Sequence, residues 1–361
     1  MTLMQRPAVV LIVCAAAAAQ GGGKIEDQVE AIRRSAVLID THNDVPSRTV
    51  DGFDIGSSEK KGHTDIARLR KGGVGAVFFS AYVAPEYADR KQSAHRALEM
   101  IDTVRRDIAR RYPGDFLEAR AAADIEAARR QGKVAALIGI EGGHAIEDSL
   151  RLLRDFYDLG VRYMTLTHAN TNDWADSAGD VDNPKVAHHN GLTDFGRQVI
   201  AEMNRLGMMV DISHVSDKTF WDALAASRAP VFASHSSCRA LCEVPRNMTD
   251  EMIVALAKKG GVIQVNFNCA FLTMEKPAHA TLADVVAHID HIRKIAGIDA
   301  IGIGTDFNGV SCTPEGLEDV SKFPNLTRAL LEKGYTEQDI RKIYGGNLLR
   351  VFRAVEVAAG K

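Results

Sequence analysis

No run of one charge sign marks this chain. Lys and Arg number 44 and Asp and Glu 47, for a net charge of −3, and they are interspersed throughout. Without a basic stripe there is no electrostatic footprint for nucleic acid. No stretch rich in Pro, Gly or Ser interrupts the sequence, so no domain boundary is marked within it. The Gly-rich strings "KGGVG" and "YGGN" lack the lysine-serine pattern of a phosphate-binding loop. "GGN" reads instead as the start of the last helix, with Asn347 as its N-cap. Cys238 and Cys242 have the spacing of two zinc ligands, but no second close Cys or His pair completes a structural zinc site. They read as structural or free. The C-terminus "RVFRAVEVAAGK" is too polar for a hydrophobic anchor signal.

One long apolar run does exist, at the start. "MTLMQR" supplies a positive charge, "PAVVLIVCAAAAA" follows, and the small residues near Ala19 offer a cleavage site. That is the pattern of a secretory signal peptide over residues 1–19, too short for a membrane span. The expectation is an exported protein, periplasmic or secreted, whose mature chain has no membrane span. Val13 stands before Cys14 where a lipoprotein signal prefers a small residue, which argues against lipid attachment there. Four cysteines remain after cleavage, Cys238, Cys242, Cys269 and Cys312. In an oxidising compartment that number permits disulfides.

The remainder is ordinary globular composition, 46% hydrophobic and 25% charged over 361 residues. After Lys24, short apolar runs alternate with amphipathic segments, the signature of repeated βα units. Eight runs are evident, at 36–44, 74–83, 134–143, 161–170, 207–216, 230–237, 261–268 and 300–309. Between them lie helical patterns such as "DSLRLLRDFYDLG" and "LTDFGRQVIAEMNRLG", ending in the glycine favoured at a helix C-terminus. Eight such repeats predict a single (β/α)8 barrel over residues 20–361. The segment "GFDIGSSEKKGHTDIARL" after the first strand reads as an elaborated loop over the active face.

Polar, metal-competent residues sit at the ends of these runs and almost nowhere else in them: His42 and Asp44, Glu141, His168, His214, His235 and Asp306. Taken alone, "DTHND" could be a salt-bridged pair at a surface turn. In a parallel barrel, however, all strand C-termini open at one mouth, so these residues converge. Buried ionisable clusters are paired or coordinate metals. A bridging Glu141 divides the set into His42, Asp44 and Glu141 on one cation, and Glu141, His214 and His235 on a second, about 3.5–4 Å apart. Nitrogen and oxygen ligands without thiolate suit two zinc ions, which lower the pKa of a shared hydroxide toward neutrality. Asp306 is the candidate for the proton, as base and then acid, although Asp in "TDFNG" could also serve a turn. His168 is the candidate donor to the oxygen of the tetrahedral intermediate. His144 is close enough to support the ligands, and the other histidines read as loop or helix-face residues.

In order along the chain, "DTHNDVP", "GIEGGHAIEDSL", "LGVRYMTLTHANTNDWAD", "GLTDFGRQVIAEMNRLGMMVDISHVS", "SHSSCRALCEVPRNMTDE", "VNF" and "IGIGTDFNG" resemble the membrane (renal) dipeptidases, zinc peptidases of the amidohydrolase superfamily. The resemblance spans about residues 34–352. It implies dipeptide substrates, tolerance of a C-terminal D-residue, a homodimer and substrate contact by His168. It also implies that Arg246 grips the substrate's C-terminal carboxylate, for which a guanidinium fork is suited. A disulfide between Cys242 and Cys269 is a further implication. Where animal members carry a substrate-contacting tyrosine, this chain has Asn268. That departure leaves room for a related amidohydrolase acting on N-acyl amino acids or lactones. A catalytically silent envelope metal-binding protein is the alternative of another class, against which Asp306 and His168 argue.

Overall fold

The computed structural model describes residues 23–59, 61–275 and 277–361. The signal peptide expected over 1–19, with Cys14, lies outside them. Among the described residues, no helix is long and apolar enough to cross a membrane.

All eight apolar runs form strands, joined by one short strand that the sequence did not advertise. In chain order they are β1 (Leu38–Asn43), β2 (Val74–Tyr82), β3 (Phe116–Glu118), β4 (Val134–Glu141), β5 (Val161–Thr165), β6 (Met209–Asp211), β7 (Phe232–Ser236), β8 (Val262–Val265) and β9 (Ile301–Ile303). The parallel pairing runs β1-β2-β4-β5-β6-β7-β8-β9, with β3 paired to β4 off that path. The strands are apolar along their length because both faces are covered, as parallel sheets require; every residue of β4 is buried. Helices separate them and stop where expected. Leu150–Leu159 ends at Gly160 (φ +117°) and Asp194–Leu206 at Gly207 (φ +77°), and each feeds the next strand.

The ends of the path meet through a short seam. Asp306 N donates to His42 O at 3.0 Å and Asp44 N to Phe307 O at 2.8 Å. Behind the seam, buried Asp40 accepts from Thr305 N (2.9 Å), Thr305 Oγ1 (2.8 Å) and Asn43 Nδ2 (3.1 Å). Gly304 is required here, since a Cβ at that position would run into Ser234 O. The barrel is thus a nearly closed eight-stranded (β/α)8 fold. Its interior is filled by an aromatic stack: Phe78 lies 5.3 Å from Tyr163, Tyr163 5.4 Å from Phe232, and Phe78 6.3 Å from Phe352 of the last helix.

Two local expectations are corrected. Asn347 does not cap the last helix, whose N-cap is Gly346 in helical conformation. The preceding turn, Lys342–Gly346, is already helical, so no helix start exists there; Asn347 instead donates to Ile298 O and Ile301 O at 2.8 Å each. Cys269 is bridged to Cys312 and not to Cys242. The bridge joins the loops after neighbouring strands β8 and β9, while Cys242 stays a buried thiol directed at Ala270 O, 3.4 Å away.

Replacing Asp40 with Ala removes the shared acceptor of the seam and leaves Thr305 N buried without its partner, which is expected to cost about 2–4 kcal/mol. A chemical denaturation midpoint measures this; an unchanged midpoint would show that closure does not rely on Asp40.

Candidate active site

The sheet register sets a row of side chains along the mouth. Tyr82 pairs with Glu141, Glu141 with Thr165, and Thr165 with Asp211. His42 and His235 lie within β1 and β7, Glu141 ends β4, and Asp44, His168, His214 and Asp306 follow β1, β5, β6 and β9 by one to three residues. The structure brings all seven to one place. His42 and His235 are fully buried, and Asp44 and Glu141 are 4% exposed.

Glu141 is the hub. Its Oε1 is 3.1 Å from His214 Nε2, 3.3 Å from His235 Nε2 and 4.0 Å from His168 Nε2; its Oε2 is 3.4 Å from His42 Nε2. Asp44 Oδ2 is also 3.4 Å from His42 Nε2. The ring nitrogens of His214 and His235 face each other at 3.0 Å. Three overlapping groups have ligand atoms close enough for a cation: His42, Asp44 and Glu141; Glu141, His214 and His235; and His42, His235 and Asp306.

Hydrogen bonds behind two of the histidines fix which nitrogen is bare. Tyr163 Oη donates to Thr41 O (3.1 Å), so His42 Nδ1–H must donate to Tyr163 Oη (2.8 Å), leaving Nε2 as the inward lone pair. Ser234 Oγ donates to Asp211 Oδ2 (2.6 Å), so His235 Nδ1–H donates to Ser234 Oγ (2.7 Å), again with Nε2 inward. Such partners orient imidazoles for metal binding. His42 Nε2 and both Asp44 oxygens are buried without a hydrogen-bond partner. Bare acceptors facing one another in a dry site are costly unless a cation stands between them, and that donor set fits divalent metal.

The protonation tendencies of these residues say the same. Burial is the largest influence on His42 and opposes its charge, yet Tyr163, Glu141 and Asp44 together push it well above the usual imidazole range. Burial pushes His214 and His235 well down, with the Arg246 charge adding to both. Glu141 resists its burial and stays far below the usual carboxylate range because of His42, His214 and His235. Asp306 goes the other way: burial first, then the Asp44 charge, push it up to about 8.

Asp306 sits at φ +62° and His214 at φ +66°, a left-handed conformation that costs about 1 kcal/mol or more for a side-chain-bearing residue. Both are placed by the loop, not by their own preference. Asn266 Nδ2 donates to Asp306 Oδ2 at 3.0 Å, and Gly309 leaves room beside Asp306 that a Cβ would fill. His168 lies against Tyr82 (4.8 Å) and His214 (4.6 Å), with its Nδ1 unpartnered and its charge disfavoured by burial. Arg246 is half-buried. Its Nη2 donates to His235 O (2.6 Å) and Nη1 to Ser236 Oγ (2.7 Å), while its Nε has no partner. Phe271 covers it at 5.5 Å.

A cavity of about 550 Å³ opens over these groups, lined by Tyr82, Arg96, His168, Asn268, Phe271 and Asn308 among others. The segment expected over the active face reaches it: Asn308 N donates to His63 Nδ1 at 2.9 Å. Sequence reasoning passed over Tyr163, Ser234, Asn266, Tyr82 and Arg96. Tyr163 had a readable signal, since a tyrosine inside a buried parallel strand needs a partner for its hydroxyl.

The family model of the membrane dipeptidases, peptidase family M19, matches residues 26–361. Dipeptidase 3 of Rattus norvegicus is 41% identical over 345 residues, 92% of this chain and 68% of the relative. The crystal structure of the probable dipeptidase PvdM from Pseudomonas aeruginosa has a TM-score of 0.85 at 25% identity, covering 93% of this chain and 99% of that one. A metallo peptidase from Rhodobacter sphaeroides, solved with a phosphinate mimic of the dipeptide L-Ala-D-Ala, gives 0.81 at 28% identity, over 89% and 99% of the two chains.

Tyr163→Phe removes the acceptor of the His42 Nδ1 proton while keeping the ring. Metal affinity is expected to drop about 10–100-fold, read by competition with a chelator of known affinity. An unchanged affinity would separate the tyrosine from the orientation of His42.

Proposed function

The chain belongs to the membrane dipeptidase family, peptidase family M19, and on that premise we propose that it is a two-zinc enzyme cleaving the peptide bond of dipeptides. The observation carrying the reading is the convergence of inward-facing imidazole nitrogens and buried carboxylates on Glu141. His42, Asp44 and Glu141 would hold one cation, and Glu141, His214 and His235 the other, with Glu141 shared. Nitrogen and oxygen donors with no thiolate favour zinc. When bound, the cations supply the Lewis acidity that makes water nucleophilic near neutral pH.

The chain's own residues do the rest. Arg246, anchored on β7, receives the C-terminal carboxylate of the substrate and so measures its length. An amide or a further residue there lacks the second anionic oxygen and loses the charge-assisted pair. His168, kept neutral by burial, donates to the carbonyl oxygen as charge develops on it. Asp306 takes the proton of the attacking water and returns it to the leaving amine. Its carboxyl is poised by burial and Asp44 at about 8. Cations bound beside it would lower that value, the direction needed by a group that must first accept a proton. The Rhodobacter relative's L-Ala-D-Ala mimic supports inclusion of dipeptides with a C-terminal D-residue.

The same reading takes residues 20–361 as one metallopeptidase domain behind a signal peptide, hence exported; the family match over 26–361 supports the first part. Homodimerisation belongs to it on the strength of the family resemblance.

Hydrolysis of an L,L-dipeptide, an L,D-dipeptide, an amidated dipeptide and a tripeptide tests the proposal, each as purified, after chelation and after zinc add-back. Cleavage of the two free dipeptides alone, lost and restored with zinc, is the expected result. Zinc binding with all four left intact would overturn the substrate assignment and turn attention to N-acyl amino acids and lactones. Asp306→Asn should retain its metal, by elemental analysis, while kcat falls by about 10²–10⁴; undiminished turnover would remove Asp306 from proton transfer.

A further inference from the structure

The cavity opens over the cluster, and the proposed carboxylate anchor, Arg246, stands behind one of its walls, against the lining residue Phe271. In the ring order β1-β2-β4-β5-β6-β7-β8-β9, β2 and β7 stand four places apart, on opposite sides of an eight-stranded mouth. Arg246 is tied to β7 through His235 O and Ser236 Oγ. The facing wall is the chain at and beyond β2, contributing Tyr82, Glu86, Tyr87 and Arg96. Glu141 on β4 lies between the two sides. A dipeptide with its C-terminus on Arg246 and its scissile bond at the metal cluster therefore directs its N-terminal residue at the β2 wall.

Among the described residues lining this cavity, Arg96 is the one guanidinium. It stands in the first turn of helix Ser93–Thr103, with its side chain only 16% exposed and its Cζ 5.6 Å over the Tyr87 ring. The ring limits its sweep without neutralising it. Its ion-pair partner is Glu99, 3.3 Å away and 44% exposed. A pair of that kind contributes little, so a ligand carboxylate can replace it. Glu86, in the same wall, is exposed, and its charge is left to solvent and salt.

We propose that Arg96 is a specificity-determining residue, receiving the side-chain carboxylate of an acidic N-terminal residue, so that dipeptides beginning with Glu or Asp are the preferred class. This rests on the dipeptidase reading above. The two guanidinium groups, Arg96 and Arg246, then hold the two outer carboxylates of one dianionic substrate. The polar peptide bond lies between them at the metal cluster.

The test compares kcat/KM for L-Glu-L-Ala, L-Gln-L-Ala and L-Lys-L-Ala in the zinc-loaded parent, in Arg96→Met and in Arg96→Glu. Zinc content and circular dichroism check that each variant is folded. Glutamine matches glutamate in shape, so the Glu-to-Gln ratio isolates charge. In the parent that ratio should be at least about tenfold, carried mainly by KM and shrinking as salt is raised. It should fall to near one in Arg96→Met, and Lys should overtake Glu in Arg96→Glu. A parent ratio near one, or a ratio that survives Arg96→Met, overturns the assignment. L-Ala-L-Ala, run on the parent, separates the two levels. If it is cleaved while Glu and Gln are treated alike, the activity stands and the role of Arg96 falls. If no dipeptide is cleaved, both fall.

Discussion

A buried carboxylate with too few donors governs this molecule. Glu141 is 4% exposed, and its hydrogen-bonding surroundings are imidazole nitrogens and a distant Ser80 hydroxyl at 3.4 Å. Moving an ionised carboxylate out of water costs several kcal/mol unless positive charge accompanies it. Against its burial, His42, 3.4 Å from both Glu141 and Asp44, is drawn well above the usual imidazole range, which marks a demand for positive charge at this point. A divalent cation held by these residues would meet that demand more completely, since both Asp44 oxygens are buried without a hydrogen-bond partner. The residues are thus arranged for a ligand that supplies positive charge. The fold has to supply stability elsewhere to keep such a cluster assembled.

That supply comes from the barrel seam and from the layer directly beneath the cluster. Thr41 Oγ1 reaches Ser234 O (2.6 Å) and Ile303 O (3.0 Å), tying β1 across to β7 and β9. Ser234 and Tyr163, which set the tautomers of His235 and His42, belong to the same layer. Tyr163 continues downward into the Phe78, Phe232 and Phe352 stack. The orientation of an inward imidazole is therefore linked to hydrophobic packing one layer below it. The positive backbone angles of His214 and Asp306 are tolerated on the same account. Their loops are clamped by Ser177 Oγ on His214 O (3.2 Å) and by Asn266 on Asp306, so the strain is offset by fixed hydrogen bonds.

The barrel and its polar rim could be read from the chain because each rests on a local signal. Buried parallel strands are apolar on both faces, and a His or Glu at the end of such a run has no packing reason to be there. The assignments that went astray depend on geometry between segments. Cys242 and Cys269 are 27 apart in sequence and Cys269 and Cys312 are 43 apart; separation does not say which pair meets. Only the adjacency of the loops after β8 and β9 selects Cys312. Asn347 follows two glycines, which look like a break, but the helix passes through Gly345 and Gly346, and the asparagine is spent on the carbonyls of Ile298 and Ile301. Arg246 gives no local sign, because what distinguishes it is that β7 holds it beside the cluster. Asn266 and Ser234 look like ordinary strand residues until their partners are known.

Chemistry and selection are separated in this architecture. The proposed metal ligands come from strand ends or the residues immediately after them, with backbones fixed by the sheet and seam. The proposed substrate contacts, Arg96, Arg246 and the wall at Asn268 and Phe271, come from segments beyond the strands, where sequence can change without disturbing the ladder. The Cys269–Cys312 bridge limits that freedom on one side. It joins the segment carrying Asn268 and Phe271 to the loop carrying Asn308 and Gly309, four residues of one cavity wall. Phe271 in turn lies against Arg246. The β7–β9 side is therefore cross-braced, as suits the group proposed to measure a constant feature, the terminal carboxylate. The β2 side has no such bridge and presents side chains from two helices, Pro85–Asp89 and Ser93–Thr103. A peptidase limited to dipeptides needs a fixed ruler at one end and an adjustable recess at the other. The distribution of covalent and non-covalent restraint around this mouth follows that division.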